Sequence, residues 1–421
     1  MAAENSYLLC KDGRSGGVFS EIPRQYADLT VKDHSGKLII PGLTDLHTHA
    51  PQFAFRALGM DMELLEWLNK ITFPEEAKYS DLGYAREAYS RFIEHIRKGP
   101  NTRLCVYSTL HVPATLLLMD MLEESGLVSL VGKVNMDRNC PDFLRERDAD
   151  SAAKETEEWL KIYLKRREEG RYKNTGVILT PRFIPCCSDE LMKSLSKIQS
   201  EYNLPVQSHL SENRKEVEWV RTLCPKSKNY AGAYADFGLL GGEAPTIMAH
   251  CVWSDEEETE LLAERGVYIA HCPQSNTNLS SGIAPVRRFL ERGIPLGLGS
   301  DVAGGVNSSI FRAMSDAIQV SKLHQVLVAP EEKALTLTEA FYLGTAGGGS
   351  FFRKPGEKDP QLQFGASGSF KEGWDFDAII IDDNSQNSLI KRSILDRLER
   401  IVYLSDDRQI VGKYVRGVSI L

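Results

Sequence analysis

The sequence predicts an α/β protein, a (β/α)₈ barrel of the TIM type carrying a small β-sandwich-like domain built from both chain termini. Short apolar, β-rich runs recur eight times, each followed by a polar or Gly/Pro break and then a helix-like segment, as parallel βα units require. No GxGxxG loop follows the first run, which argues against an open dinucleotide-binding sheet. Towards both ends the pattern changes to strand-like pieces separated by Gly/Pro and Asp/Asn/Ser turns. The expected division is residues 1–37 and 366–421 for the small β domain and 38–365 for the barrel.

In chain order the strands are read at 38–49 (LIIPGLTDLHTH), 102–109 (TRLCVYST), 127–136 (LVSLVGKVNM) and 177–183 (VILTPRF). The second half supplies 205–213 (PVQSHLSEN), 246–253 (TIMAHCVW), 267–273 (VYIAHCP) and 294–301 (IPLGLGSD). Helical patterns such as YAREAYSRFIEHIRKG, SDELMKSLSKIQSEY, SDEEETELLAERG and PVRRFLERG lie between them. Ser188 and Ser254, each followed by two acids, read as helix starts, and Gly99, Gly266 and Gly293 as stops. Near the C-terminus, 376–382, 400–406 and 409–421 read as strands of the small domain.

Composition narrows the function. With 421 residues, 42% hydrophobic and 26% charged, the chain is an ordinary globular protein with enough sequence for a large core. A net charge of −8 argues against a nucleic-acid partner, because phosphate binding depends on Lys and Arg. No window of about 20 apolar residues exists to cross a membrane, and the N-terminus has no basic start followed by an apolar block, so a cytoplasmic location is expected. The eight cysteines include no CxxC pair, and Cys105, Cys251 and Cys272 lie in apolar runs, the usage of reduced thiols.

The chemistry collects at the strand ends. His47 and His49, at i and i+2, project from the same face of a strand and can reach one ion. Alone that pair is weak. His209, His250 and His271 each end a separate later strand and Asp301 ends the eighth, and in a barrel all these ends meet at one mouth. Of nine histidines, the other four, His34, His95, His111 and His324, fall in helical or loop settings and read as structural or exposed. A buried-core reading serves any one strand-end histidine, and His271 stays open between the two roles; it serves the set poorly, since buried polar groups need individual partners. Glu212, three residues past His209, suits a proton shuttle, against the plain reading of an acid opening the next helix. Asp301 suits a weak ligand that also acts as general base.

PGLTDLHTH, SHLSEN, IMAHC, AHCPQSN and the GSD of the eighth strand resemble the amidohydrolase superfamily over essentially the whole chain. HAPQFAF, LLEWLNKITFPEE, PRF, SHLSENRKEV, HCPQSN and GSDVAGG look like its guanine-deaminating members. The resemblance implies zinc-dependent hydrolysis of guanine to xanthine and ammonia. His47, His49, His209, His250 and Asp301 would bind one zinc ion per subunit; Glu212 and Asp301 would be catalytic. Gln52, Arg182 and Phe183 would hold the purine beside His49, His209, Glu212 and Asp301. For Arg182 and Phe183 the residues alone favour plainer roles, a carboxylate partner and core. Binuclear relatives carry a carboxylated lysine near the end of the fourth strand; VILTPRF has no lysine, so one metal is expected. The resemblance also implies a homodimer, with the helical stretches 307–327 and 337–346 as a surface for it. The Gly-rich lead-in before Leu38 is shorter than the resemblance implies.

Two alternatives fit less well: a mononuclear amidohydrolase acting on another aminated heterocycle, disfavoured by HAPQ and PRF, and a non-catalytic scaffold, disfavoured by the full ligand set. A cytidine-deaminase-type site needs HxE with PCxxC, and neither occurs.

Overall fold

The computed structural model describes residues 2–352, 364–384, 390 and 392–421. It is an α/β structure with two four-stranded parallel sheets. Leu43–His49, Asn101–Tyr107, Val128–Gly132 and Thr175–Val177 form one in that order, and Val206–Leu210, Thr246–His250, Tyr268–His271 and Leu296–Leu298 the other. They meet along both sides. On one, Leu179 bridges Val206 in parallel and its amide donates to the Pro205 carbonyl at 2.8 Å. On the other, Leu296–Leu298 lies beside Leu43–His49, and the Asp301 amide donates to the His47 carbonyl at 2.8 Å.

Alternation along each strand explains the layers. Cys105, Leu130, Ala249 and Ala270 turn inward into a cluster with Leu46, Ile178, Ile247 and Cys272. Their neighbours Val106, Val131, Met248 and Ile269 face the larger core against the helices. The inner space is narrow: a Cβ on Gly297 would come within 2.6 Å of Leu46 Cδ1 and 2.8 Å of the Gly348 Cα. The helices lie outside by the usual stripe. In Leu82–Lys98, Ala85, Ala88, Tyr89, Phe92, Ile93 and Ile96 are buried at helical spacing, and Asp81 caps the first turn. Ser188 caps Asp189–Tyr202 as expected, whereas at the second proposed start the cap is Asp255, not Ser254.

Several strand readings are corrected: 127–136 and 177–183 each divide, and Val134–Asn135 pairs with Thr180–Pro181 as a separate two-stranded parallel sheet. The run 38–49 is two strands, not one. Leu38–Pro41 pairs antiparallel with Ala378–Ile381, and the chain then passes Gly42 into the parallel sheet. Gly42 is squeezed between the two: a Cβ there would lie 2.3 Å from Thr102 Oγ1 and 2.7 Å from Asp377 Cβ. The piece 400–406 is not a strand but the end of the helix Ile394–Leu404. Its buried Leu398, Ile401 and Val402 follow a helical period, and Ser393 with Asp396 makes a capping box that starts it. Ala378–Ile381 continues through Ile410–Val415 to Val418–Ser419, completing a four-stranded antiparallel sheet, and Tyr7–Lys11 pairs with Arg14–Phe19 as a separate hairpin.

Buried charge ties the C-terminal segment to the parallel sheet. Arg103, fully buried on its strand, donates from Nε to Asp377 at 2.6 Å, from one terminal nitrogen to Asp375 at 2.9 Å and from the other to the Gly365 carbonyl at 2.9 Å. Arg103→Met strands both carboxylates away from water. It is expected to cost about 3–5 kcal/mol, read as a lowered urea midpoint with an unchanged slope.

All eight cysteines are free thiols. Among the described residues no helix is long and apolar enough to cross a membrane.

Candidate active site

Four histidines and two acids from four strand ends converge. The Nε2 atoms of His47 and His49 are 3.3 Å apart, and His209 Nε2 lies 3.3 Å from that of His49. Asp301 Oδ1 is 3.1 Å from His47 Nε2 and 3.3 Å from His49 Nε2. His250 Nε2 lies 3.8 Å from Asp301 Oδ2 and 3.4 Å from Glu212 Oε2. His271 is not part of this group; it is buried, and among the described residues neither ring nitrogen has a hydrogen-bond partner.

The backbone is bent to bring these side chains in. Ser211, His250 and Asp301 have φ of +47°, +73° and +45°, a left-handed conformation that costs non-glycine residues about 1–3 kcal/mol each and gathers at functional sites. Asp45 ties the first strand end to the last, accepting from the Ser300 amide at 2.9 Å and the Ser300 hydroxyl at 2.6 Å.

The electrostatics fit a cation. Burial pushes the His49 imidazole down to about 4 and holds His47 and His209 below their ordinary values, so the rings are neutral at neutral pH. The Nδ1 of His209 donates to the Arg182 carbonyl at 2.7 Å and that of His250 to Asn276 Oδ1 at 2.8 Å, which leaves the Nε2 lone pairs facing the cluster. Burial works against the Asp301 charge, and the carboxyl is held well below its usual range only by positive charge and donated hydrogen bonds at His47, His49 and His250; with the rings neutral, a bound cation has to take that part. Unprotonated nitrogens and a carboxylate packed this closely repel one another unless a positive ion sits among them. His47, His49, His209 and Asp301, and likewise Glu212, His250 and Asp301, offer ligand atoms within 4.8 Å of one another.

Glu212 lies at the edge of this group with the opposite tendency. Burial first, then the nearby Asp301 and Glu216 carboxylates, raise it well above its ordinary value, which favours the protonated form. Ser281 Oγ contacts its Oε1 at 3.3 Å. Its backbone is fixed by Glu216, whose Oε2 accepts from the amides of Glu212 and Asn213 at 3.0 and 3.2 Å, in a capping box that opens the helix Arg214–Leu223.

A pocket opens onto the cluster. His49, Gln52, Arg182, His209, Glu212 and Asp301 line its polar side, and Leu64, Trp67, Leu68, Phe183 and Leu279 supply apolar walls. The plain readings of Arg182 and Phe183 hold together with their places in the pocket: Arg182 pairs with Glu76, and Phe183 packs in a core with Trp67 and Phe73. Sequence reading missed Leu64, Trp67 and Leu68. Their i, i+3, i+4 spacing in LLEWLNK was the available signal, although nothing local says that a helical stripe lines a pocket rather than a core. It also missed Asn276, Glu216 and Glu76, whose roles rest on contacts distant in sequence.

Parallel sheets with histidines and acids gathered at the strand ends define a hydrolase site, and the chain belongs to the amidohydrolase family, whose model matches residues 38–420. Within it the chain is 39% identical over 395 residues to the guanine deaminase of Dictyostelium discoideum, covering 93% of this chain and 84% of that one. It is 32% identical over 428 residues to the guanine deaminase of Escherichia coli, covering 98% and 90%. The crystal structure of guanine deaminase from C. acetobutylicum, with guanine bound in its active site, superposes with a TM-score of 0.92 at 44% identity, covering 99% of this chain and 94% of that chain.

Proposed function

We propose that this chain hydrolyses guanine to xanthine and ammonia. The observation that carries the reading is the likeness, over nearly the full length of both chains, to a guanine deaminase with guanine in its active site. The polar cluster at the end of an apolar pocket gives that likeness its chemistry.

In this reading the parallel strands form one (β/α)₈ barrel that starts at Leu43 rather than at 38, and Leu38–Pro41 joins 1–37 and 366–421 in the small β domain. His47, His49, His209, His250 and Asp301 hold one zinc ion. Zinc bound there supplies an electrophilic centre that makes water acidic near neutral pH. The purine enters with its 2-amino end towards Asp301 and Glu212. Gln52 and Arg182 hydrogen-bond the ring, Phe183 stacks on it, and the rings of His49 and His209 form the floor. Asp301 accepts a proton from the water that attacks C2. Glu212, already protonated, gives its proton to a ring nitrogen as that bond forms. The C–N bond then breaks, the amine takes up the proton held by Asp301 and leaves as ammonia, and the C2 hydroxyl gives its proton back to Glu212 as the carbonyl of xanthine forms. Every proton moves between groups within the cluster, and the apolar walls exclude bulk water.

We further infer a cytoplasmic homodimer. The end of the helix Ile310–Leu327 supports the dimer, since Leu323, Val326, Leu327 and Val328 are each more than half exposed.

Purified protein is expected to remove the ultraviolet band of guanine with stoichiometric ammonia. Turnover of adenine or cytosine with none of guanine overturns the substrate assignment in favour of another aminated heterocycle.

A further inference from the structure

Behind the pocket, one carboxylate holds both groups that the proposed function assigns to the purine edge. Glu76 is buried and lies outside the pocket lining. Its Oε1 accepts from Gln52 Nε2 at 2.9 Å and from one terminal nitrogen of Arg182 at 3.1 Å, and its Oε2 accepts from the other at 2.6 Å. On its far side, Gln52 Oε1 accepts from the Ala303 amide at 3.0 Å. The Arg182 guanidinium also stacks over Phe73, 5.1 Å from the ring centre.

This network fixes which polarity the pocket presents. A carboxylate accepts and a backbone amide donates, so the Gln52 amide has one orientation: oxygen to Ala303, nitrogen to Glu76. The Gln52 oxygen is thereby turned away from the ring, and its remaining N–H is available. Arg182 has only donors and is gripped by two parallel bonds in fork geometry. We propose that Glu76 is a positioning residue that makes Gln52 and Arg182 an all-donor edge, so that the pocket selects purines whose matching edge carries acceptors and rejects those with an amino group there. The inference rests on the guanine reading and deepens it. Its ligand class is oxo-purines, against amino-purines of the same size.

The probe is 2,6-diaminopurine, which keeps the 2-amino group that reacts and replaces the 6-oxo acceptor of guanine with an amino donor. A site built of fixed donors pays heavily for a misplaced donor, because its own buried N–H groups are then left unpaired. Glu76→Gln puts an N–H donor where Oε2 accepts from Arg182 and removes the negative charge, so the two-bond grip on the guanidinium is lost and Gln52 and Arg182 are no longer held in one geometry. The expected result is a rise in KM for guanine of about 10²-fold, with kcat changed much less, and a fall of at least about tenfold in the preference for guanine over 2,6-diaminopurine. Metal content stays at the wild-type level. Glu76→Asp keeps two acceptor oxygens and is expected to raise KM while holding that preference within about threefold of wild type.

A purely structural role moves both substrates by the same factor, and that outcome, or an unchanged preference in Glu76→Gln, overturns the proposal. If Glu76→Gln does not fold, a lost preference in folded Glu76→Asp overturns it instead. Calorimetric titration of both purines into the wild-type protein separates the two levels. Binding of neither removes the guanine reading itself, whereas wild-type discrimination that survives in Glu76→Gln removes only the role of Glu76.

Discussion

Glu212→Gln is expected to lower kcat for guanine by roughly 10²–10⁴-fold, the range a positioned proton donor supplies. The substitution keeps the size of the side chain and can still take the Ser281 contact, but it cannot hold and release the proton that the proposed mechanism moves through Glu212. Because Glu212 acts on bond-making rather than on the purine edge, KM should change far less than kcat. Metal content should match the wild type, since the four imidazoles and Asp301 remain. Steady-state kinetics beside elemental analysis checks both. Near-normal kcat in a metal-loaded variant removes Glu212 from the mechanism.

The second large effect concerns the ligand set. His209 Nε2 faces the cluster because its Nδ1 is committed to the Arg182 carbonyl, and the ring is packed against His49 and His250. His209→Asn removes that nitrogen lone pair. The variant should fold, bind little metal, and lose activity by roughly 10³-fold or more, because a bound cation contributes several kcal/mol to the transition state and each 1.36 kcal/mol is tenfold. Partial rescue at high zinc concentration is the expected signature of a weakened site. Full activity with unchanged metal content contradicts the assignment.

The two effects separate cleanly in what they move, kcat alone in one and metal content with kcat in the other. That separation follows from position: Glu212 opens the loop after its strand, whereas His209 sits within the strand Val206–Leu210.

Much of this site was legible because it obeys short-range rules. The two-residue period puts His47 and His49 on one face, and parallel βα units carry His209, His250 and Asp301 to the same end of the sheets whatever their separation in sequence. The splitting of 38–49 at Gly42 was not legible, since it depends on Thr102 and Asp377, which approach only in the folded chain. The segment 400–406 misled for a different reason. RIVYLSD has strand-forming residues, but its apolar positions continue a helical stripe that begins at Leu398, and a short window hides that period. Glu76 was invisible as a functional residue: in FPEE it is one of two adjacent acids, and only the fold shows that it, and not the neighbouring Glu75, meets Gln52 and Arg182. Arg103 is similar, an arginine inside an apolar strand whose partners Asp375 and Asp377 come from the other end of the chain.

The most direct test of the metal centre is elemental analysis of active protein, repeated with guanine turnover after chelation and after zinc is restored. The expected result is one divalent transition ion per chain, loss of turnover as the ion is removed, and recovery with about one equivalent of zinc. Undiminished hydrolysis of guanine by protein stripped of transition metal would contradict it.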